Sequence, residues 1–181
     1  MKAMPSRPLY IPRYTVDDYR CWSGDWQLID GVAIAMTPSP FGPHERVVSR
    51  LSRTIGNQIE AGGCPCEVYT NLDWIIDLHT VVEPDIMVVC GEQPQRYLER
   101  PPAIVVEVVS EATRAQDLVL KRALYREHEV RHYLVIDPAA RSVEHVTAEG
   151  SSLSGPSDRV ELLLGGPGDC RLVVDCSRLF D

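Results

Sequence analysis

The sequence predicts an α/β protein in which a mixed β-sheet is flanked by helices, with a hairpin near the N-terminus. Three observations lead to this fold class. Apolar residues recur at helical spacing in two segments, 44–61 and 116–129. Short apolar runs typical of buried strands lie between and after these segments. The order helix, strands, helix, strand then favours one mixed sheet with helices packed on it.

Length and composition suit a single globular domain. The chain has 181 residues, of which 44% are hydrophobic and 24% charged, so we expect residues 1–181 to form one domain with a substantial core. No segment approaches the roughly 18 apolar residues of a membrane span. The N-terminal residues contain no apolar run that resembles a signal peptide, and we therefore expect a cytoplasmic protein.

The first elements are a short helix and a hairpin. Thr15 can cap a helix that begins at Val16, with acidic residues in its first turn. Asp30-Gly31 lies between two apolar runs and predicts a tight turn, because glycine accepts a positive φ.

The middle of the chain predicts one long helix and then strands. The helix has an apolar stripe and should end at Gly62-Gly63. Segment 66–78 alternates like one long strand or two short ones, and segment 81–90 predicts a strand that enters after Pro84. Pro101-Pro102 breaks the chain before the apolar strand 103–110.

The second half should add a helix and further strands. Segment 116–129 is helical by pattern, with Leu120, Leu124 and His128 expected on one face. A buried strand at 132–137 stops at Asp137-Pro138, another begins at about 141, and segment 158–181 predicts a short hairpin and a tail.

The six cysteines favour free thiols over a disulfide framework or a zinc site. Cys64 and Cys66 are spaced C-x-C, and no cysteine or histidine pair follows at zinc spacing. With a cytoplasmic protein expected, we expect the cysteines to be reduced.

The charge balance limits what the chain can bind. Its formal net charge is −8, which argues against a general polyanion binder. Contact with nucleic acid would need a local basic patch or a divalent cation that masks carboxylate charge. Arg46, Arg50 and Arg53 form a basic side on the long helix, where they would contact phosphates or face solvent.

Two carboxylates and a lysine carry the chemistry that the sequence indicates. Glu107 lies inside an apolar strand, where an ionised carboxylate is costly unless it is paired or ligates a metal. Asp85 opens the preceding strand, so the two carboxylates could converge on one hard cation such as Mg²⁺. Lys121, on the helix after the Glu107 strand, could stabilise charge on a phosphate or help deprotonate water.

The same segments resemble a known family. P-D-I-M-V-V at 84–89, A-I-V-V-E-V-V-S at 103–110, D-L-V-L-K-R-A-L-Y at 117–125 and H-Y-L-V-I-D-P at 132–138 are similar, in this order, to the Uma-two family of putative restriction endonucleases, within the PD-(D/E)XK nuclease superfamily. W-Q-L-I-D-G-V at 26–32 resembles it too. The resemblance runs from about Tyr14 to about Pro138, and more loosely to Leu179-Phe180.

This resemblance implies a restriction-endonuclease-like core and a metal-dependent site. Asp85 and Glu107 match the family's acidic residues, and the main-chain carbonyl of Val108 would be an additional ligand for Mg²⁺ or Mn²⁺. Val109 stands where the wider superfamily has a lysine, and Lys121 matches the lysine that this family places on the next helix. The family usually has an acidic residue where this chain has Gln27.

Each candidate residue also has a structural alternative. Asp85 could be a turn residue that accepts local hydrogen bonds. Glu107 could pair with an arginine such as Arg114, and Lys121 could form a solvated i,i+4 pair with Asp117. His44, on the apolar stripe, is expected to be packed and hydrogen-bonded.

Glu45 could be an additional metal ligand. Alternatively, it only stabilises the helix, because glutamate is favourable in a first turn. For Asp117, the role expected is to orient Lys121 rather than to act itself.

The function expected from these observations is metal-dependent hydrolysis of DNA phosphodiester bonds by a homodimer. The alternative is a catalytically silent protein that keeps the nuclease fold and binds a partner, which the negative charge favours. The sequence does not distinguish DNA from RNA as the substrate.

Overall fold

The computed structural model describes residues 11–36, 42–110, 114, 116–165 and 170–180. Its helices are α1 (Val16–Tyr19), α2 (Gly42–Gly62), a π-helix (Gln116–Lys121), α3 (Arg122–Glu127) and a 3-10 turn (Cys176–Arg178). Its strands are β1 (Trp26–Ile29), β2 (Val32–Ala35), β3 (Cys66–Tyr69), β4 (Trp74–Asp77), β5 (Thr80–Val82), β6 (Ile86–Cys90), β7 (Ile104–Val108), β8 (His132–Asp137), β9 (Ser142–Thr147), β10 (Gly150–Ser154), β11 (Arg159–Leu163) and β12 (Arg171–Asp175).

The N-terminal helix and hairpin are confirmed. Thr15 and Asp18 form a capping box, in which the Asp18 carboxylate accepts from the Thr15 amide at 2.8 Å. Asp30 and Gly31 both have positive φ, at 50° and 77°, as the tight turn between β1 and β2 requires. The glycine here is needed, because a Cβ on Gly31 would lie 3.2 Å from the Tyr14 carbonyl oxygen.

The large sheet confirms the predicted fold class. Within the described ranges it has six strands in the order β10-β9-β8-β7-β6-β3. Strands β7 and β8 are parallel, whereas their outer neighbours pair antiparallel, so the sheet is mixed. The α2 helix and the β11–β12 hairpin cover one face of this sheet.

The other face is covered by a second sheet that the sequence analysis did not separate. This small sheet has the order β2-β1-β5-β4 in the described part of the chain. Segment 66–78 is therefore two strands that belong to different sheets, and segment 81–90 also divides at Pro84. Trp74 of the small sheet stacks on Tyr125 of α3, with ring centroids 5.9 Å apart. Both side chains are buried against the large sheet.

The helix predicted at 116–129 is present, but its buried face differs from the prediction. Residues 116–121 form a π-helix, whose wider turn changes which side chains face inward. Leu120 is 39% exposed, whereas Lys121 and Tyr125 are buried. Leu124 packs on the core, and His128 contacts Trp74 edge-on with ring centroids 6.4 Å apart.

The expectation of reduced cysteines is wrong for four of the six. Cys64 is bonded to Cys170, and Cys66 to Cys90. Cys66 and Cys90 are register partners on β3 and β6, so strand pairing brings their side chains together. The pairing could not be read from C-x-C spacing because it depends on the sheet order. None of the helices in the described ranges is long and apolar enough to cross a membrane.

Candidate active site

Glu107 and Lys121 form a buried ion pair. The Lys121 ammonium donates to Oε1 of Glu107 at 2.8 Å, and the two side chains are 4% and 3% exposed. The Tyr125 hydroxyl donates to the same oxygen at 2.7 Å. Lys121 and Tyr125 are four residues apart, so one side of the helical segment carries both donors. Sequence reasoning missed Tyr125, although this spacing could have indicated it.

Asp85 is fixed to the same strand as Glu107. Its Oδ2 accepts from the backbone amide of Val108 at 2.7 Å. This bond joins residues that are 23 positions apart, so Asp85 is not the local turn residue of the alternative interpretation. The side chain is partly exposed, at 23%.

The strand register aligns the two carboxylates. Strands β6 and β7 pair Ile86 with Val106, and the same antiparallel register continued by one residue sets Asp85 opposite Glu107. Side chains of such partners point to the same face of the sheet. Glu107 therefore lies on the face of the small sheet and α3, and Asp85 lies opposite it just before the start of β6, where α2 also reaches it.

His44 links α2 to this centre. Its Nε2 lies 3.3 Å from Oδ1 of Asp85, and its Nδ1 lies 3.2 Å from Oε1 of Glu45. The histidine is buried, as expected, while the Glu45 side chain is 66% exposed. Burial lowers the pKa of His44, but the bonds to Asp85 and Glu45 outweigh it and raise the pKa above its usual value.

The alternative partners of the predicted residues lie elsewhere. Arg114 pairs with Asp137 at 2.7 Å rather than with Glu107. Lys121 is buried, which contradicts its interpretation as a solvated surface lysine. The predicted pair of Lys121 with the Asp117 side chain lies outside the described part of the structure. Asp137 ends β8, and its Oδ1 accepts from the two amides that follow Pro138.

A further acidic residue, Glu83, adjoins the centre and was missed by the sequence reasoning. It is half-buried two residues before Asp85. Burial, followed by the negative charges of Asp73 and Asp25, raises the pKa of Glu83 to about 7. Asp85 raises the pKa further and Lys121 opposes the shift, so Glu83 interacts electrostatically with two residues of the candidate site, Asp85 and Lys121.

Gln27 on β1 is a buried polar residue. It is 3% exposed, and its Oε1 has no hydrogen-bond partner among the described residues. It alternates with Leu28 and therefore shares the face of Ile29, which packs in the core between the two sheets. A neutral amide costs less than a carboxylate in such a place.

The oxygen donors of this centre are of the kind that hard cations bind. Asp85 and Glu107 supply carboxylates, and Val108 supplies a carbonyl. A residue in an extended strand presents its N–H and C=O at the same edge, and the Val108 N–H faces Asp85. Within the described ranges, no group of three or more His, Cys, Asp or Glu side chains is arranged to hold a metal, so a carbonyl would have to complete the set.

This arrangement of a mixed sheet with helices and a small second sheet is also found in a solved structure. It is similar to the crystal structure of a putative nuclease belonging to DUF820 from Anabaena variabilis. The two chains are 19% identical and superpose with a TM-score of 0.74, over 92% of this chain and 97% of the other.

The family follows from the sequence match. Residues 16–167 match the Uma2 (Uma-two) family, described as putative restriction endonuclease, and the chain belongs to this family. The resemblance noted from the motifs is thereby confirmed. None of the functionally curated proteins matches the chain.

Proposed function

We propose that this protein is a metal-dependent endonuclease that hydrolyses phosphodiester bonds of DNA. Asp85, Glu107 and the carbonyl of Val108 would hold Mg²⁺ or Mn²⁺, and Lys121 would act beside them. The observation that carries the proposal is the hydrogen bond from the Val108 amide to Asp85. This bond fixes the Asp85 carboxylate beside Val108, the residue that follows Glu107. Family membership supports the same class of activity.

A divalent cation bound to these oxygens would polarise the scissile phosphate and make a nearby water more acidic. Lys121 would stabilise negative charge that develops on the phosphate, because its ammonium is already a donor at the centre. Tyr125 and Lys121 together fix the orientation of Glu107. His44 in turn holds Oδ1 of Asp85, while the Val108 amide holds Oδ2.

The competing function is a catalytically silent nuclease fold that binds a partner. The observation in its favour is that Glu107 is engaged by both Lys121 and Tyr125. A metal would have to share this carboxylate with two donors. The net charge of −8 also favours a protein that does not bind DNA.

The proposal also concerns the domain organisation, the oligomeric state and the location of the protein. We infer one domain over residues 1–181, a homodimer and a cytoplasmic location. The two disulfides argue against the location, because such bonds are rare in the reducing cytoplasm. RNA is the competing substrate, and the assay below includes it.

The test combines metal binding with cleavage on the same samples. Calorimetry with Mn²⁺ and cleavage of supercoiled plasmid would be measured on wild type, Glu107→Gln and Glu127→Gln. Glutamine keeps an acceptor for Tyr125 at position 107 but removes the countercharge of Lys121, so the variants are compared at a temperature at which each of them is folded. Glu127 is an exposed residue on α3 that serves as the matched control. Circular dichroism checks that each variant is folded. An RNA with the same sequence as part of the plasmid tests whether DNA or RNA is the substrate.

We expect wild type and Glu127→Gln to bind Mn²⁺ and nick the plasmid, and Glu107→Gln to do neither while remaining folded. If wild type binds no Mn²⁺ at millimolar concentration, the nuclease proposal is wrong and the silent binding protein takes its place. If RNA is cut and DNA is not, the class of reaction stands and the substrate changes.

A further inference from the structure

A cavity of about 400 Å³ opens beside the candidate site. Its volume lies within the range of small-molecule and cofactor sites. Its lining includes Tyr19 of α1, Asp25 and Trp26 at the start of β1, Asp73 before β4, Glu83 between β5 and β6, and Arg96 between β6 and β7. None of the proposed metal ligands is among them.

One residue of the cavity wall lies close to the candidate site. Glu83 lines the cavity and is separated from Asp85 only by Pro84. Its carboxylate also interacts electrostatically with Lys121. A nucleic acid bound at Asp85 would therefore lie near this cavity.

The walls are mostly polar and contain oriented acceptors. Tyr19 and Trp26 contribute only a small apolar area. The Tyr19 hydroxyl donates to Oδ1 of Asp73 at 2.9 Å and lies 3.2 Å from the Trp26 carbonyl, so it fixes the direction of the Asp73 carboxylate. Such walls suit a molecule that offers N–H donors at its edge.

Positive charge is found at the rim rather than inside. The Arg96 guanidinium lies 4.8 Å from the centroid of the Tyr97 ring, and that of Arg20 lies 5.8 Å from the same ring. Arg96 is exposed and also lines the cavity. Arg20 also pairs with Asp17 and Glu99, so we assign the phosphate contact to Arg96, in a chain with a net charge of −8.

We propose that this cavity receives one unpaired nucleobase of the nucleic acid bound at the candidate site, and that it favours bases with an exocyclic amino group over thymine or uracil. The proposal rests on the nuclease function proposed above. The carboxylates of Asp73 and Asp25 would accept from the amino group, as acidic side chains accept from cytosine. Thymine instead presents two carbonyl oxygens beside its one N–H, and these oxygens repel a carboxylate.

A base inside a duplex cannot reach a recessed cavity without leaving the stack. The preferred ligand is therefore a single strand, or a duplex distorted next to the scissile bond. Arg96 at the rim would hold a phosphate of the same strand, which gives affinity without base preference. Base preference and overall affinity then depend on different residues.

Fluorescence anisotropy with short single-stranded oligodeoxycytidine and oligodeoxythymidine tests this division. Binding is measured in Ca²⁺, and gels confirm that the oligonucleotides stay intact. The variants are Asp73→Asn, Arg96→Ala and Asp30→Asn. Asparagine at position 73 keeps an acceptor for Tyr19, and Asp30→Asn removes the same charge from an exposed turn, so it is the matched control.

We expect wild type and Asp30→Asn to bind the cytidine strand roughly tenfold or more tightly than the thymidine strand. Asp73→Asn should bring the two affinities together, and Arg96→Ala should weaken both equally. Equal affinities in wild type, an unchanged preference in Asp73→Asn, or no binding of either strand would each overturn the proposal.

Plasmid cleavage by wild type separates this result from the proposed function. Cleavage without any base preference would contradict the nucleobase proposal and support the nuclease proposal. A base preference without cleavage would support the nucleobase proposal and contradict the nuclease proposal.

Discussion

Lys121 and Glu107 are joined by a 2.8 Å ion pair with side chains only 4% and 3% exposed. One comes from the π-helix and the other from the centre of the large sheet. Removing two charges from water costs several kcal/mol per ion, which their attraction repays only with good geometry and further hydrogen bonds. The bond from Tyr125 is one such contact.

The first prediction concerns the stability of this pair. Lys121→Met should lower the free energy of unfolding by about 3–5 kcal/mol, because it leaves Glu107 buried without its countercharge. The double variant Lys121→Met with Glu107→Gln should recover most of that loss, since no uncompensated charge is left. Urea unfolding of wild type, Lys121→Met, Glu107→Gln and the double variant measures the coupling. Additive effects of the two substitutions would show that the pair is not a unit.

The second prediction isolates the Tyr125 hydroxyl. Tyr125→Phe should lower the free energy of unfolding by about 1–3 kcal/mol, because the hydroxyl donates to a buried carboxylate. If Glu107 binds a metal, its looser orientation should also weaken Mn²⁺ affinity in calorimetry. Tyr69→Phe is the control, because that hydroxyl donates to Gln93 away from the site. A loss of Mn²⁺ affinity of the same size in both variants would contradict a positioning role for Tyr125.

The third prediction concerns the disulfides. Alkylation of the unfolded protein should label two cysteines, Cys21 and Cys176, without reductant and all six after reduction. The Cys64–Cys170 bond closes a loop of 106 residues, so a Cys64→Ser, Cys170→Ser variant should lose about 2–5 kcal/mol of unfolding free energy. Cys21→Ser is the neutral control. Six labelled cysteines without reductant would show that the thiols are free in the purified protein.

The fourth prediction is a pH dependence of stability that arises from two histidines. Nδ1 of His132 lies 2.9 Å from Nε2 of His145, and Nε2 of His132 lies 3.0 Å from the Leu163 carbonyl. Burial lowers the pKa of His132 below its usual value. Burial, and then the charge of His132, lowers the pKa of His145 as well.

The unfolded chain therefore binds more protons than the folded protein in the range between the lowered pKa values and the usual value of about 6.5. The stability from this pair is fully present above about pH 6.5 and is lost as the pH falls through the lowered pKa values. Melting temperatures from pH 8 to pH 5 measure it. His132→Gln should flatten the curve over this range, and an unchanged slope would show that the pair does not titrate there.

The local elements could be predicted because their causes are local. The Thr15 cap, the Asp30-Gly31 turn and the apolar stripe of α2 each depend on residues within a few positions of one another. The unusual carboxylate in the apolar strand was visible for the same reason, since it interrupts a short run. The roles of Asp85, Glu107 and Lys121 in metal binding and catalysis stay predictions.

Other features depend on contacts between distant segments. The division of 66–90 between two sheets, the edge strand β10 and the disulfides all follow from which strands become neighbours, and alternation along one strand does not specify its partner. The π-helix changed which residues face the core, so Leu120 was misplaced and Tyr125 was missed.

By itself, the sequence determined the local elements, the family and the candidate residues Asp85, Glu107 and Lys121, because these depend on residue type and near neighbours. The tertiary structure decided which of these residues meet. It paired Lys121 with Glu107, tied Asp85 to Val108 and placed Glu83 between the candidate site and a cavity. The physical reason is that burial and strand register fix a charge's partner, and both are properties of the packed chain.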